Sequence, residues 1–302
     1  MTFYKKSDAI LKLSKSNDPN LYLIQKDYNE NGSKNFHIMK LDKLYQKIIR
    51  NRSEKKESYY YESLLDKSNI KFALDIDVLD DIDNIAFDKI LITNINKVVK
   101  YAKIFYNYNY EIDNIIILKT KKQNPKQSAH VIFRGLKFQN YNVCKNFFVR
   151  ILKQDKLDYC DPLIYGKTCL RTCFSSKKGK EFPLLPYKLK INDKMTCCIN
   201  DFLDEYEYFQ NTLITYIGEL ETKMITEEMI EKEQNIQKYE ENEVDKNIDI
   251  GKILECLDKE YCDEYTKWNK VGMALYSISE NNFNIFDKRS KKSKKYNYDN
   301  NL

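Results

Sequence analysis

Glycine is scarce in this chain, and its spacing excludes the common glycine-rich nucleotide-binding loops. Seven glycines occur among 302 residues, whereas an average usage of about 7% would give roughly 20. No two glycines are spaced as in G-x-G or G-x-x-x-x-G, so a dinucleotide-binding fingerprint, a kinase glycine-rich loop and a complete P-loop are absent. The segment 166–168 (Gly-Lys-Thr) resembles the end of a P-loop, but Asp161 stands where its first glycine would be. Any phosphate chemistry in this chain therefore depends on side chains and metal ions.

The distribution of charge favours a polyanionic partner. The chain carries 51 Lys and Arg against 45 Asp and Glu, a net charge of +6. Acidic residues concentrate between Gly218 and Asn247, where ten of them stand against four lysines. The rest of the chain is therefore more basic than the total, as expected of a protein that binds nucleic acid. A lysine-rich surface that is merely solvated is the alternative.

No segment of the sequence resembles a membrane span or a secretory signal. The apolar runs fall short of the roughly 18 to 20 residues that cross a bilayer, and no apolar signal core follows Met1. We therefore expect an intracellular, non-secreted protein without a membrane partner. In that setting the eight cysteines are expected to be thiols. They form no C-x-x-C pair and only two histidines are present, so zinc is not expected.

Apolar patterns predict an α+β fold followed by a small helical domain. Strands are predicted at 21–28, 70–78, 115–119 and 129–134. Helices are predicted at 37–50, 85–106 and 141–153. The acidic stretch separates three predicted parts, which are a folded domain at 1–210, an acidic helical linker at 211–247 and a helical domain at 248–302.

The strand predicted at 70–78 carries two carboxylates on one face. Its segment 74–78 reads Leu-Asp-Ile-Asp-Val, and residues two apart in a strand share a face at a distance of about 7 Å. Asp75 and Asp77 therefore point the same way, while their apolar neighbours point into the core. Two such carboxylates repel each other and raise a pKa unless a cation lies between them. Mg²⁺ or Mn²⁺ suits these oxygen ligands, and an ordinary exposed strand end is the alternative.

The strand predicted at 129–134 begins with hydrogen-bond donors. Ser128 and His130 share one strand face, and Lys126 lies further back on the same side. All three side chains can donate to a phosphate oxygen. The alternative is a histidine that is satisfied within the core.

A third block combines a carboxylate with a group of cations. Asp161 follows Cys160, and Arg171 and the basic run 175–180 come after it. One interpretation is an aspartate that completes a metal site, followed by cations for a triphosphate. The other is a run of charge that forms a solvated face.

Taken in order, these three blocks resemble the motifs of the archaeo-eukaryotic primase superfamily. The resemblance is to its primase-polymerases and to the primase part of the primase-helicases of large DNA viruses. That family has an h-D-h-[DE] strand, an s-x-H strand and an h-D element followed by Arg and Lys. The matching residues here are 74–77, 128–130, Cys160-Asp161, Tyr165, Arg171 and Ser175-Ser176-Lys177. The resemblance covers about residues 55–190.

The resemblance implies a fold, a reaction and a set of site residues. The fold would be a primase catalytic core with an RRM-like mixed or antiparallel sheet flanked by helices. The reaction would be primer synthesis on single-stranded DNA from nucleoside triphosphates, with two divalent ions, Mg²⁺ or Mn²⁺. The implied metal ligands, which are also the implied catalytic residues, are Asp75, Asp77 and Asp161. The implied nucleotide-binding residues are Lys126, Ser128, His130, Arg171, Ser176 and Lys177.

The C-terminal segment from about Ile248 resembles the small helical domain that follows the primase in viral primase-helicases. The matching residues include Trp268, Val271-Gly272, Phe286 and Ser290. Arg289 stands where that family usually has Trp, and we expect it to weaken the packing of the last helix. No helicase motif follows. We therefore expect an incomplete domain, and a replicative helicase that lies in a longer chain or acts in trans. A viral protein of this kind would work in the host cytoplasm, in a viral factory or in the nucleus.

Two other classes of function stay open. One is a different metal-dependent enzyme, such as a nuclease or a D-x-D glycosyltransferase. A nuclease would need a lysine close after its carboxylate on the next strand, and Lys119 is a candidate. The other is a non-catalytic nucleic-acid-binding or helicase-loading module that has kept the fold.

Overall fold

The chain folds into two compact units, Met1–Glu233 and Gln234–Leu302. The structure is a computed structural model that describes residues 1–28, 33–65, 68–121, 126–165, 169–218, 222, 224–229, 254–278 and 283–293. Within these ranges no helix is both long enough and apolar enough to cross a membrane.

The first unit alternates helices and strands. In chain order its strands and helices are β1 (Thr2–Phe3), α1 (Lys6–Ser14), β2 (Tyr22–Asp27), β3 (Lys34–Met39), α2 (Leu41–Ser53), β4 (Tyr60–Ser63), β5 (Ile70–Val78), α3 (Asn84–Tyr106), β6 (Ile115–Lys119), β7 (Gln127–Phe138), α4 (Tyr141–Gln154), β8 (Cys169–Arg171), β9 (Leu185–Tyr187), β10 (Lys190–Ile191), β11 (Lys194–Met195), α5 (Glu205–Thr212) and β12 (Met224–Ile225). Short 3-10 helices lie at Ile112–Asn114, Pro162–Tyr165 and Ile199–Asp201.

β7 is the central strand of the sheet that carries the candidate site. β5 and β6 pair with it antiparallel on its two sides, β9 pairs antiparallel with β6, and β12 runs parallel to the end of β7. Directly opposed residues of neighbouring strands share a face of the sheet. The register therefore puts Ile76, Ala129 and Lys119 on one face. Asp75 and His130 lie on the other.

Helices α3 and α4 cover the face that carries Ile76. Phe72 of β5 packs against Phe147 of α4 with ring centroids 5.1 Å apart, and Lys119 of β6 lies 4.6 Å from the ring centroid of Phe87 in α3. Leu74, Ile76 and Val78 are all 0% exposed. This burial fixes the orientation of β5, because a register slip by one residue would exchange its apolar and acidic faces.

Both covering helices begin at side-chain caps that the sequence supplies. The Asp83 carboxylate accepts the Ala86 amide at 2.7 Å at the start of α3, and the Asn140 side chain accepts the Val143 amide at 3.0 Å at the start of α4. α3 ends at Asn107, which has the left-handed φ of 51° common at helix ends.

A second sheet has the strand order β1-β3-β2-β4-β8 and is packed on both faces. Helix α2 contributes Leu44 and Ile48 to the main core on one face, where they join Ile24 and Tyr60. Helix α1 contributes Ala9 to a smaller core with Leu23 and Phe36. The sheet ends at β8, whose last residue is Arg171.

A buried pair of charges ties the two sheets to the end of α5 and to the residues that follow it. The carboxylate of Glu62 in β4 accepts the amides of Ile214 and Thr215 at 2.9 and 3.0 Å. The ammonium of Lys71 in β5 donates to the Asn211 carbonyl at 2.6 Å. Both side chains are 1% exposed. Burial raises the pKa of Glu62 and lowers the pKa of Lys71 to about 7, and the charge of each partner opposes the effect of burial on the other.

The prediction of an α+β fold is confirmed, and most predicted elements lie where the patterns put them. Two predictions differ from the structure. The helix predicted at 37–50 begins at Leu41, because His37, Ile38 and Met39 pair with β2 as the end of β3. Within the predicted helical linker, Met224–Ile225 forms a strand beside Lys137 and Phe138. Most of the rest of that linker lies outside the described residues, as do 166–168.

The second unit consists of short helices around a small apolar core. Its described helices are α6 (Glu260–Asp263), α7 (Tyr265–Ile278) and α8 (Phe283–Ser290). The core contains Leu254, Val271, Leu275 and Phe286. Gly272 lets α7 and α8 approach closely, because a Cβ at this position would lie 2.8 Å from the Phe286 ring.

The expectation that Arg289 weakens the packing of the last helix stays a prediction, and the structure shows how Arg289 is accommodated. Arg289 is 7% exposed, and its guanidinium donates to the backbone carbonyls of Leu254 and Leu257, the latter at 2.9 Å. A planar group with five donors can satisfy carbonyls at a helix end, which an indole with one donor cannot do. Trp268 remains part of the packing, and its indole nitrogen donates to the Ser290 hydroxyl at 2.9 Å.

We predict that Glu62→Ala lowers the free energy of unfolding by about 3 kcal/mol, because it leaves two backbone amides buried without their acceptor and Lys71 buried without its nearby opposite charge. Urea unfolding followed by circular dichroism measures this change. The control is Glu54→Ala, which removes a carboxylate paired only with the exposed Lys56 at 2.7 Å and should leave stability unchanged. Equal stability of the two variants would contradict the role given to Glu62.

Candidate active site

The register of β5 and β7 brings the first two sequence blocks together. Asp75 lies directly opposite His130, and Asp77 lies directly opposite Ser128. All four side chains project from the sheet face opposite α3 and α4, since they alternate with residues that face those helices. Two strands that are far apart in sequence thus form one polar surface.

The third block runs along the free edge of β5. The Asp77 amide donates to the Tyr159 carbonyl at 3.1 Å, and the Asp161 amide donates to the Asp75 carbonyl at 2.9 Å. These bonds form an antiparallel bridge between Cys160 and Ile76. Asp161 therefore lies opposite Asp75 on the same face.

Tyr165 anchors the third block from the sheet face that carries Phe72. Its ring is 0% exposed and stacks on Phe72 with centroids 5.7 Å apart. Its hydroxyl accepts the Ala73 amide at 2.9 Å and donates to the Ala73 carbonyl. The Asp161 carboxylate in turn accepts the Leu163 amide at 2.8 Å. Both ends of the segment 161–165 are therefore fixed to β5.

Cations line a cleft next to the carboxylates. The cleft is bounded by Thr120, Lys126, Ser128, Arg171, Lys177, Lys180 and Phe182. Arg171 is 7% exposed and donates to the Phe182 carbonyl at 3.2 Å. Its Nε is buried and has no hydrogen-bond partner among the described residues. A buried guanidinium with an unused donor is suited to bind an anion that enters the cleft.

Asp77 is held as a charged carboxylate. Lys126 Nζ lies 2.7 Å from Asp77 Oδ2, and the Ser128 hydroxyl donates to Oδ1. Burial alone would raise the pKa of Asp77, but the hydrogen bonds from Lys126 and Ser128 outweigh burial and hold it below its ordinary value of 3.8. Asp77 is therefore ionised at neutral pH.

Asp75 has the opposite environment. Burial, and next the charge of Asp77, raise the pKa of Asp75 from 3.8 to about 6, although Lys177 and Arg171 oppose this shift. The repulsion expected between carboxylates two residues apart is thus present. A pKa raised in this way marks a group that gains from a nearby cation.

His130 is a neutral, buried imidazole. It is 3% exposed, and its Nε2 lies 3.5 Å from Asp75 Oδ1. Burial, followed by the charge of Arg171, holds the pKa of His130 well below its ordinary 6.5. Its Nδ1 is buried without a partner in the described part of the chain. Like Arg171, the imidazole keeps hydrogen-bonding capacity that the fold does not use.

The carboxylates suit a divalent ion chemically, but their side chains are engaged elsewhere. Among the described residues, no group of three or more His, Cys, Asp and Glu side chains is arranged to hold a metal ion. Two of the three carboxylates accept hydrogen bonds from the protein, since Lys126 and Ser128 donate to Asp77 and the Leu163 amide donates to Asp161. Carboxylate oxygens on adjacent strands are the type of ligand that suits Mg²⁺ or Mn²⁺.

Ser176 is placed apart from the other predicted site residues. It is 0% exposed, its amide donates to the Ser58 carbonyl at 2.7 Å, and its hydroxyl donates to the Glu57 carboxylate. These bonds fasten the loop before Lys177 to the segment before β4. In this arrangement Ser176 positions the loop, whereas Lys177 reaches the cleft.

Three cleft residues were missed by the motifs. Lys180 lies in the basic run 175–180 but has no signal that separates it from its neighbours. Thr120 reaches the cleft because its amide continues the β6–β7 ladder to the Ser128 carbonyl at 3.0 Å. Phe182 is placed by its bond to Arg171. Strand pairing and loop path put Thr120 and Phe182 in the cleft, and neither is visible in the sequence.

Lys119, the candidate nuclease lysine, lies on the wrong face of the sheet. It is opposed to Ala129 rather than to His130, so it points toward α3. Its ammonium lies 3.4 Å from Asp88 Oδ1 and 4.5 Å from the ring centroid of Tyr187. Lys119 therefore cannot serve Asp75 and Asp77, and the observation that favoured a nuclease is removed.

A comparison with protein families bears on the second unit. Residues 250–301, about one sixth of the chain, match the family described as Primase C terminal 2 (PriCT-2). No curated protein matches the chain. The match supports a primase-related family and suggests a primase-associated role in DNA replication.

We predict that Asp75→Asn stabilises the protein at pH 7.5. Because Asp75 has a raised pKa in the folded state, its contribution to stability is full below pH 3.8 and is lost as the pH rises through about 6. The variant should therefore gain about 1–2 kcal/mol at pH 7.5 and nothing at pH 4. Urea unfolding at both pH values measures the gain. Asp113→Asn, at an exposed carboxylate, is the control, and a pH-independent effect of Asp75→Asn would contradict the assignment.

Proposed function

We propose that the protein is a DNA primase, or primase-polymerase, that synthesises primers on a single-stranded DNA template. Support comes from one juxtaposition, which is the row of Asp75, Asp77 and Asp161 beside a cleft lined by cations. The PriCT-2 match gives independent support, because domains of this family follow primases in the resemblance described above. The first unit would then be the primase catalytic core, with its antiparallel sheet as the RRM-like element.

The site residues would have separate roles in the reaction. Asp75, Asp77 and Asp161 would hold two Mg²⁺ or Mn²⁺ ions. When bound, such ions activate a 3′-hydroxyl and stabilise the leaving pyrophosphate oxygens. Arg171 and Lys177 would neutralise the triphosphate, because they line the cleft beside the carboxylates. His130 and Ser128 would orient the nucleotide from the β7 side of the same face.

The partners follow from this chemistry. Nucleoside triphosphates would enter the cationic cleft, and single-stranded DNA would bind by charge and by stacking on aromatic side chains. A replicative helicase, in a longer chain or in trans, is the expected partner in viral-type DNA replication.

A non-catalytic module is the second candidate, and one observation favours it. The Lys126–Asp77 ion pair neutralises a carboxylate that a catalytic site would give to a metal ion. Such a module would bind single-stranded DNA without incorporating nucleotides, so a primer-synthesis assay separates the two candidates.

We predict that Asp75→Ala and Asp77→Ala each abolish nucleotide incorporation, with a loss of at least about 100-fold, because each removes an oxygen ligand from the reacting centre. The assay is synthesis of labelled primers on single-stranded DNA with Mg²⁺ or Mn²⁺. Lys119→Ala is the control, since Lys119 lies on the opposite face, and it should retain activity if the fold is intact. Full activity in either aspartate variant would refute the assignment.

We predict that His130→Ala mainly weakens nucleotide binding, with an apparent KM raised about tenfold, since a neutral imidazole contributes a hydrogen bond rather than a charge. Steady-state kinetics with varied nucleotide at saturating metal measure this. His130→Asn keeps a donor and should lie between the alanine variant and wild type. An unchanged KM together with a reduced kcat would assign His130 a different role.

A further inference from the structure

Among the described residues, Lys126 is the cation that lies closest to one of the three aspartates. Its ammonium lies 2.7 Å from Asp77 Oδ2, while the Ser128 hydroxyl takes Oδ1. The two side chains are 27% and 33% exposed, so the pair is partly shielded from water. Both oxygens of Asp77 are thus used by the protein itself.

Lys126 directly precedes a residue of β7 that is held by its contacts. The next residue, Gln127, begins β7, is 0% exposed and donates from Nε2 to the Ile82 carbonyl at 2.7 Å. Gln127 also pairs with Val78 across the sheet. The ammonium stands on a four-carbon stem with rotatable bonds, so it can leave Asp77 without a change in the strand.

A second destination for this ammonium lies within its reach. Lys126 lines the same cleft as Arg171, Lys177 and Lys180. These cations repel one another while the cleft holds no anion, and Asp77 offers Lys126 a partner. A triphosphate in the cleft reverses that preference, because it offers several anionic oxygens to the whole group.

We propose that Lys126 is a resident counter-ion of Asp77 that yields this carboxylate to a divalent ion and transfers to the triphosphate. An ammonium and a metal ion that share Asp77 Oδ2 repel each other, so Lys126 competes with the metal and assists the nucleotide. Metal and nucleotide then bind with positive coupling, which is reciprocal between the two ligands. This role rests on the proposed function, because it presumes that Asp77 binds a divalent ion.

The test is Mn²⁺ binding to the full chain without nucleotide, followed by electron paramagnetic resonance of free Mn²⁺. Lys126→Gln should bind Mn²⁺ about five- to tenfold more tightly than wild type, because it removes the competing ammonium. The same variant should bind a labelled non-hydrolysable nucleoside triphosphate about tenfold more weakly at saturating Mn²⁺. The transfer predicts that Lys126→Gln changes the two affinities in opposite directions, with Mn²⁺ bound more tightly and the nucleotide more weakly.

Two variants control this measurement. Lys180→Gln removes the same charge from the same cleft without removing the ion pair with Asp77, and should change Mn²⁺ affinity less than twofold. Lys126→Arg keeps a cation and should stay close to wild type. Thermal unfolding midpoints check that each variant is folded.

The outcomes separate this role from the proposed function. If Asp75→Asn abolishes Mn²⁺ binding but Lys126→Gln has wild-type Mn²⁺ affinity, the role of Lys126 is refuted and the proposed function stands. Equal tightening by Lys126→Gln and Lys180→Gln also refutes it, because net charge alone would then explain the change. If wild type binds no Mn²⁺ that Asp75→Asn can remove, both fail.

Discussion

The antiparallel register between β5 and β7 is the constraint on which the candidate site depends. It sets Asp75 opposite His130 and Asp77 opposite Ser128, and it leaves the other edge of β5 free to pair with the segment that carries Asp161. The register is itself held by burial, since Leu74, Ile76 and Val78 face the helices. A slip of one residue would bury the carboxylates and expose the core, so the same pattern that folds the sheet also forms the site.

The second sheet supplies the cationic side of the cleft through its last strand. Arg171 ends β8 and lies opposite Tyr61 of β4, and Glu62 is the next residue of β4. The buried charges of Glu62 and Lys71 bind β4 and β5 to the end of α5 and the residues just after it. They thereby hold the sheet that ends in Arg171 close to the strand that carries Asp75. A pair that is remote from the chemistry thus helps to place the cation that the proposed reaction needs.

The electrostatics of the two neighbouring aspartates differ because burial dominates at Asp75, whereas hydrogen bonds outweigh burial at Asp77. Asp77 has Lys126 and Ser128 and is charged, whereas Asp75 is opposite a neutral imidazole and has a raised pKa. Burying Asp75 costs folding free energy at neutral pH, because the folded state then holds a carboxylate whose pKa is raised. Under the proposed function that cost is offset when cations bind beside Asp75.

The sequence by itself determined the strand 70–78, the shared face of Asp75 and Asp77, and the helices at 85–106 and 141–153, because periodicity and caps are local properties. It also indicated a primase-related chain through short motifs and the C-terminal segment. Only the tertiary structure decided that Asp161 pairs beside Asp75, that Lys119 points away, that Ser176 is bonded to Glu57 and that Arg289 caps carbonyls. Those outcomes depend on contacts between residues far apart in the chain, which no local pattern specifies.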